Sequence, residues 1–199
     1  MEEVIEMPDG ITYLSTLSGG LDSALITYLI MKLKPNSKMV LSSFCLQHQQ
    51  NHNFDTVKKI MNYLDYTFPF RIIDHRIGFV RDIEHAKNGG RAKQTRELLQ
   101  QYDIEGIISG FTINPPELMI EGRDETRDSP REWRSMNQHG IYHYQPFVNR
   151  DKRYIAELYQ QYQLQELADL TVSCEAEQPP RPCKNCWWCK EKHWAFGFY

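Results

Sequence analysis

The chain has 199 residues, a mass of 23.5 kDa and a formal net charge of −3, which suits one domain, or one domain with a small appendage, able to bury a real core. With 41% hydrophobic and 25% charged residues, global disorder is excluded, and the slightly acidic balance argues against a general nucleic-acid or membrane binder, which carries a basic excess. No run reaches the ~18 apolar residues of a membrane-spanning helix, and the acidic start Met1-Glu2-Glu3 is unlike a secretory leader, so a cytoplasmic location is expected.

In chain order, Ile11 to Leu17 is an apolar, β-branched run ended by Ser18-Gly19-Gly20, and predicts a buried strand. Apolar residues then recur at helical spacing from Asp22 to Leu33, and Pro35-Asn36 stops that helix. Met39 to Leu46 predicts a second strand, Phe54 to Leu64 a second amphipathic helix, and Phe68 to Ile73 a third strand. A third helix spans Ala92 to Tyr102 and a fourth strand Gly106 to Ser109. This alternation predicts an α/β fold with a doubly wound, mostly parallel sheet. Residues 111–140 are rich in Pro, Gly and charge and predict a long functional loop, a lid or substrate loop. Tyr142 to Val148 predicts a last strand and Asp151 to Tyr162 a last helix. The expected division is an α/β domain over 1–170 and a cysteine-bearing appendage over 171–199.

The sharpest feature is Leu17-Ser18-Gly19-Gly20-Leu21-Asp22-Ser23, between a strand and a helix. A helix N-terminus presents unpaired N–H groups and a partial positive charge, hence an anion site. Two glycines let backbone approach a phosphate, and Ser18 and Ser23 add hydroxyl donors. Asp22 makes sense beside phosphate if a Mg²⁺ bridges the two, or as a helix cap. The plain alternative is a capped strand-to-helix turn. The spacing is neither Walker A nor the dinucleotide Gly-x-Gly-x-x-Gly. Ser-Gly-Gly-x-Asp-Ser resembles the PP-loop of the ATP pyrophosphatase superfamily. That resemblance implies an adenine-nucleotide α-hydrolase-like fold, with this loop holding the pyrophosphate of ATP.

Five cysteines are unevenly placed: Cys45 stands alone, and Cys174-x8-Cys183-x2-Cys186-x2-Cys189 closes the chain. Four thiolates suffice for one tetrahedral Zn²⁺ per chain, closed to substrate and therefore structural. An iron–sulfur cluster also takes four cysteines, and ranks below zinc for want of another redox feature. Trp187, Trp188, Trp194, Phe196 and Phe198 are expected to anchor this knuckle by packing, and His193 to be a surface or packing residue.

Loop and cysteines together resemble the 7-cyano-7-deazaguanine synthases of queuosine biosynthesis, zinc-containing PP-loop ligases. The resemblance implies that ATP and ammonia convert 7-carboxy-7-deazaguanine to the nitrile, through an adenylated carboxylate and an amide. Gln50 and His52 match the family's segment after the second strand, Ile108-Ser109-Gly110 its adenosine-flanking glycine, and Asp151-Lys152 its Asp-Lys pair. Two stretches depart. Lys87-Asn88-Gly89-Gly90-Arg91-Ala92-Lys93 lacks the family's proline and Arg-Asn pair, and the region from Asn114 to Arg134 differs. Both fall where the deazaguanine would sit, so another carboxylate or carbonyl acceptor is open.

The loop residues Leu17, Ser18, Gly19, Gly20, Leu21, Asp22 and Ser23 are the candidate nucleotide site, with Mg²⁺ at Asp22, and the resemblance adds Gly110 to it. Lys152 is a candidate for phosphate charge, Arg91 for a phosphate or carboxylate, and His52 for steering the nucleophile or a proton. The alternative for Arg91 and Lys152 is a solvated charge, and for His52 a structural histidine; His75, His85 and His139 read as structural. Expected partners are ATP, a small carboxylate and ammonia, with neither nucleic acid nor membrane; relatives that pair as dimers make a homodimer one expectation. Competing functions are a PP-loop sulfurtransferase acting on tRNA, for which Cys45 is the spare thiol, and a degenerate nucleotide-binding docking protein.

Overall fold

A computed structural model describes residues 1–46, 50–80, 89, 91–118, 121–174 and 182–199, without the side chains of residues 46 and 50–53. Six strands form one sheet: β1 (Thr12–Thr16), β2 (Lys38–Leu46), β3 (Ile72–Val80), β4 (Gly106–Ile108), β5 (Arg134–Met136) and β6 (Tyr142–Tyr144). Their order is β3-β2-β1-β4-β6-β5. All neighbours are parallel except the edge pair β5–β6. The described helices are α1 (Glu2–Glu6), α2 (Leu21–Leu33), α3 (Gln50–Thr67), α4 (Arg91–Gln101), α5 (Lys152–Gln161), α6 (Gln165–Leu170) and α7 (Trp187–Phe196). None of the described helices is long and apolar enough to cross a membrane.

Alternating residues of β1 face two cores. Tyr13 joins a large cluster with Leu25 and Leu29 of α2, Ile60 of α3 and Ile155 of α5. Leu14 joins a smaller cluster with Val40 and with Leu98 of α4. Helices therefore cover both faces, as a doubly wound sheet requires. The chain leaves β1 toward β2 and β3, then returns to β4 on the other flank. The carboxyl ends of β1 and β4 thus form the switch point where ligands bind in such sheets.

Several predicted elements shift. The third strand starts at Ile72, because Pro69 lacks an N–H and Phe70 takes φ +63°. The strand that forms instead, Ile72–Val80, is a half-exposed edge containing Asp74, His75 and Arg76, and an apolar run does not mark it. Strand β5 has three exposed residues and no alternation signal. The last strand ends at Tyr144, since Gln145 to Val148 turn back through a Val148 N–H to Gln145 carbonyl bond. The short helices α1 and α6, and α7, lay outside the periodicity reading.

Two charges set helix ends, the second of them near the switch point. The Arg71 guanidinium donates to the Met31 and Lys34 carbonyls, satisfying the carboxyl end of α2. The Asp151 carboxylate caps α5 by accepting from the Arg153 and Tyr154 N–H groups at 2.9 and 3.3 Å. This cap fixes where Lys152 enters the first turn. Asp151→Ala is expected to cost about 1 kcal/mol in urea unfolding, and Asp151→Asn, which caps as well, almost nothing.

Candidate nucleotide loop and four-cysteine centre

The segment after β1 is held as a compact turn. The Leu17 N–H donates to the Ser42 carbonyl at 2.9 Å, and the Leu17 side chain is buried. The Ser23 hydroxyl accepts from the Ser18 N–H at 3.1 Å, lies 3.0 Å from the Ser18 hydroxyl, and donates to the Gly20 carbonyl. Gly19 has φ +88°, a conformation that favours glycine, and a Cβ there would press on the Thr56 methyl at 3.2 Å. Gly20 is the N-cap of α2, and no side chain caps it. The first turn of this 13-residue helix therefore keeps N–H donors for an anion.

Gly110 completes the crevice. A Cβ on it would lie 2.4 Å from the Asp22 carbonyl carbon and oxygen. Backbone from the end of β4 thus rests directly on the first turn of α2. Beside it, the Ser109 hydroxyl and His143 Nε2 share a 2.9 Å hydrogen bond, and Gln145 donates to the same hydroxyl. Burial lowers the His143 pKa, leaving a neutral imidazole. This pair was not anticipated; only the position of Ser109 beside Gly110 hints at it.

Asp22 and Lys152 come together as an ion pair although 130 residues apart. The pair belongs to a larger cluster. Lys152 lies 3.6 Å from Glu191 Oε2. Arg127 grips Glu191 with its Nη2 at 2.5 Å from Oε1 and its Nη1 at 3.4 Å from Oε2. Arg127 also donates to the Thr112 and Ile113 carbonyls, pinning the 111–128 segment. Arg127, Lys152 and Glu191 are 3%, 5% and 1% exposed, so the pairing carries their charge with little help from water. Burial pushes the Asp22 carboxyl above its ordinary range, against the pull of Lys152 and Arg127. Its Oδ1 is buried with no hydrogen-bond partner. Neither Arg127 nor Glu191 was singled out in the sequence; a charge in a polar loop, or two residues past a cysteine, carries no local mark of burial.

Arg91 stands at the start of α4 over the Phe44 ring at 5.9 Å, and among the described residues no hydrogen bond or ion pair joins it to the loop. The His52 side chain, His48 and His85 lie outside the described residues. His75 is held by its Nε2 at 2.9 Å from the Ser43 hydroxyl, which donates to the Leu17 carbonyl. Donation from Ser43 to Leu17 leaves the hydroxyl to accept from Nε2–H, fixing the neutral tautomer.

The four C-terminal cysteines converge. The sulfurs of Cys174, Cys183, Cys186 and Cys189 all lie within 4.8 Å of one another. The Cys186 N–H donates to Cys183 Sγ and the Cys183 N–H to Cys174 Sγ, each at 3.3 Å. Backbone donors lower the Cys183 thiol to about 6, while burial raises that of Cys189. Lys184 at φ +59° makes the tight turn between Cys183 and Cys186. Bonds of about 2.3 Å to one tetrahedral ion place sulfurs about 3.8 Å apart, so the donor set fits a single ion. The knuckle aromatics do pack: Trp187 is buried, Trp188 meets Arg127, Trp194 meets Arg153, and Phe196 and Phe198 lie against the main core. His193 stacks on Tyr199 at 4.4 Å, away from a ligand role.

Against known proteins, no family model and no curated protein matches the chain. Solved structures share its fold. The U34-tRNA thiolase NcsA from Methanococcus maripaludis, solved with its 4Fe–4S cluster, aligns at TM-score 0.56 and 14% identity, covering 96% of this chain and 67% of that one. The NMN synthetase from Francisella tularensis aligns at TM-score 0.53 and 16% identity, covering 96% of this chain and 78% of that one. The likeness bears out the α/β architecture expected from the loop motif. Neither neighbour is a deazaguanine synthase, so that finer resemblance rests on the motifs.

Two outcomes follow from the loop. Gly110→Ala must push β4 away from α2, costing about 1–3 kcal/mol in thermal or urea unfolding. His75 has its pKa lowered to about 4 by burial, from an ordinary 6.5. Its contribution to stability is complete above pH 6.5 and is lost as pH falls through about 4. His75→Gln is expected to flatten the melting temperature over that window.

Proposed function

We propose that the protein is an enzyme of the ATP pyrophosphatase type that adenylates a small carboxylate and replaces the activated oxygen with nitrogen from ammonia. The carrying observation is the loop itself: an uncapped helix start at the switch point, with Asp22 Oδ1 buried and unpartnered beside the Lys152 ammonium.

A free carboxylate resists ammonia, because its charge repels the nucleophile and oxide leaves badly. Attack of its oxygen on the α-phosphorus of ATP breaks the α–β bridge and releases pyrophosphate. Ammonia then attacks the acyl carbon, AMP leaves, and an amide remains. A second activation, of the amide oxygen, with loss of AMP gives a nitrile. The N–H groups at the start of α2 and the Ser18 and Ser23 hydroxyls suit the departing pyrophosphate. Lys152 supplies a fixed positive charge that needs no reorganisation. Asp22 would hold a Mg²⁺, whose charge would offset that of the triphosphate. Gly110 matches the family's adenosine-flanking glycine, and its missing side chain lets the end of β4 close on the loop. The acceptor we favour is 7-carboxy-7-deazaguanine or a relative, on the strength of the loop, the cysteine pattern and the Asp151-Lys152 pair. His52 and Arg91 remain candidates for the acceptor side.

For the metal we propose one structural zinc per chain. A four-iron cluster seats its thiolates on the outside of a cube and spreads them farther than one ion does, whereas here all four sulfurs sit within 4.8 Å. Thiolation of tRNA is the less favoured reading: Cys45 is fully buried, and burial raises its thiol pKa.

Purified protein is expected to carry one equivalent of zinc and no iron by elemental analysis. With 7-carboxy-7-deazaguanine and ammonium it should release pyrophosphate from ATP and form the nitrile, read by mass spectrometry. Silence of zinc-loaded protein toward every carboxylate tried would sink the ligase reading. Asp22→Asn should cut pyrophosphate release about 100-fold or more and lower the melting temperature, because it takes one charged partner from the buried Lys152 ammonium.

A further inference from the structure

Two contacts tie the nucleotide loop to the two ends of the cysteine cluster. On one side the Val172 N–H donates to the Gly19 carbonyl at 2.9 Å, two residues before Cys174. On the other, Asp22 pairs with Lys152, which lies 3.6 Å from Glu191, two residues after Cys189. Gly19 makes the left-handed turn of the loop, and Asp22 carries its carboxylate. The cluster therefore sits between two struts that meet the loop at the positions that shape it.

The struts are stiff. Glu191 is 1% exposed, and Arg127 engages both of its oxygens. Cys189 lies in the first turn of α7, so α7 carries Glu191 and a metal-ligating sulfur as one rigid body. Cys174 is joined to Val172 by a single intervening residue. An ion bonded to both Cys174 and Cys189 fixes how far Val172 stands from Glu191. In its absence these ends are held by weaker contacts, among them the Lys192 ammonium at 3.5 Å from the Thr171 carbonyl.

We propose that metal occupancy of the four-cysteine cluster and nucleotide occupancy of the Ser18–Ser23 loop are thermodynamically linked, with Glu191 as the positioning residue that carries the link through Lys152 to Asp22. This rests on the nucleotide reading of the loop. A nucleotide adds negative charge beside Lys152, which Asp22 and Glu191 already share. Holding Lys152 in place then requires Glu191 in place, and Glu191 is placed by the helix the metal anchors. The linkage is reciprocal: whatever factor the metal adds to nucleotide affinity, the nucleotide adds to metal retention.

The test times zinc transfer from the loaded full chain to a colorimetric chelator, with and without saturating α,β-methylene ATP and Mg²⁺. Binding of the same analogue is measured by calorimetry on loaded and stripped protein. The analogue is expected to slow zinc release about five-fold or more, and stripping to weaken its binding by a like factor. Glu191→Gln should retain zinc stoichiometrically yet show a release ratio near one. If that variant does not fold, Arg127→Lys, which keeps the charge and loses the two-oxygen grip, takes its place with the same expectation. Failure of zinc-loaded protein to bind the analogue at all overturns the nucleotide reading and this link with it. Tight binding with an unchanged release rate overturns the link alone. A full ratio in the folded variant removes Glu191 from it.

Discussion

The structure depends on a largely buried quartet of charges, Asp22, Lys152, Glu191 and Arg127, that sums to zero. Each member comes from a different stretch of chain: the glycine loop after β1, the start of α5, the cysteine helix and the turn at Glu125–Arg127. Ions taken out of water are costly unless paired, and losing one partner from a buried pair costs about 3–5 kcal/mol. No one of these elements reaches its position with its charge satisfied unless the others arrive too. The quartet therefore acts as a condition on assembly. It brings the C-terminal segment and the long insertion against the loop, where apolar packing alone would allow many arrangements.

Around it the sheet supplies location. The chain crosses from one flank of β1 to the other, which opens a crevice at the carboxyl ends of β1 and β4. The loop turns inside that crevice, Gly110 closes on it from β4, and the Tyr159 hydroxyl of α5 donates to the Leu21 carbonyl at 2.9 Å. The loop is thus gripped from the sheet, from α5 and from the cysteine segment, while the N–H groups at the start of α2 stay uncapped. Rigid surroundings with donors left over are what a site for a highly charged leaving group requires.

The charges also explain an apparent waste of stability. Asp22 is half-buried, and its Oδ1 lies out of solvent with no hydrogen-bond partner. A fold selected for stability alone would place an amide or an apolar group there. A carboxylate kept at this cost, beside a buried ammonium, suits a ligand that brings cations or donors with it.

Much of this was legible in order along the chain. Helical spacing marked α2, α4 and α5 within a residue or two of their ends, because each buries one stripe against a core. The loop and the cysteine pattern were legible because their chemistry lies in closely spaced residues. The edge strand β3 was not, since half-exposed polar residues carry no apolar run, and β5 pairs through backbone alone. Lys152 was picked out as a charge near phosphate, but its partner Glu191, and the Arg127 that holds Glu191, were invisible. The sequence by itself determined the alternation of elements, the glycine turn and the set of four thiolates, all of which depend on neighbours within a few residues. Only the tertiary structure decided which distant charges meet, that Arg127 is pinned to Thr112 and Glu191, and that the cysteine cluster reaches the loop directly at Val172 and through Lys152 at Glu191. Burial creates those pairings, and burial belongs to no residue until the chain has closed around it.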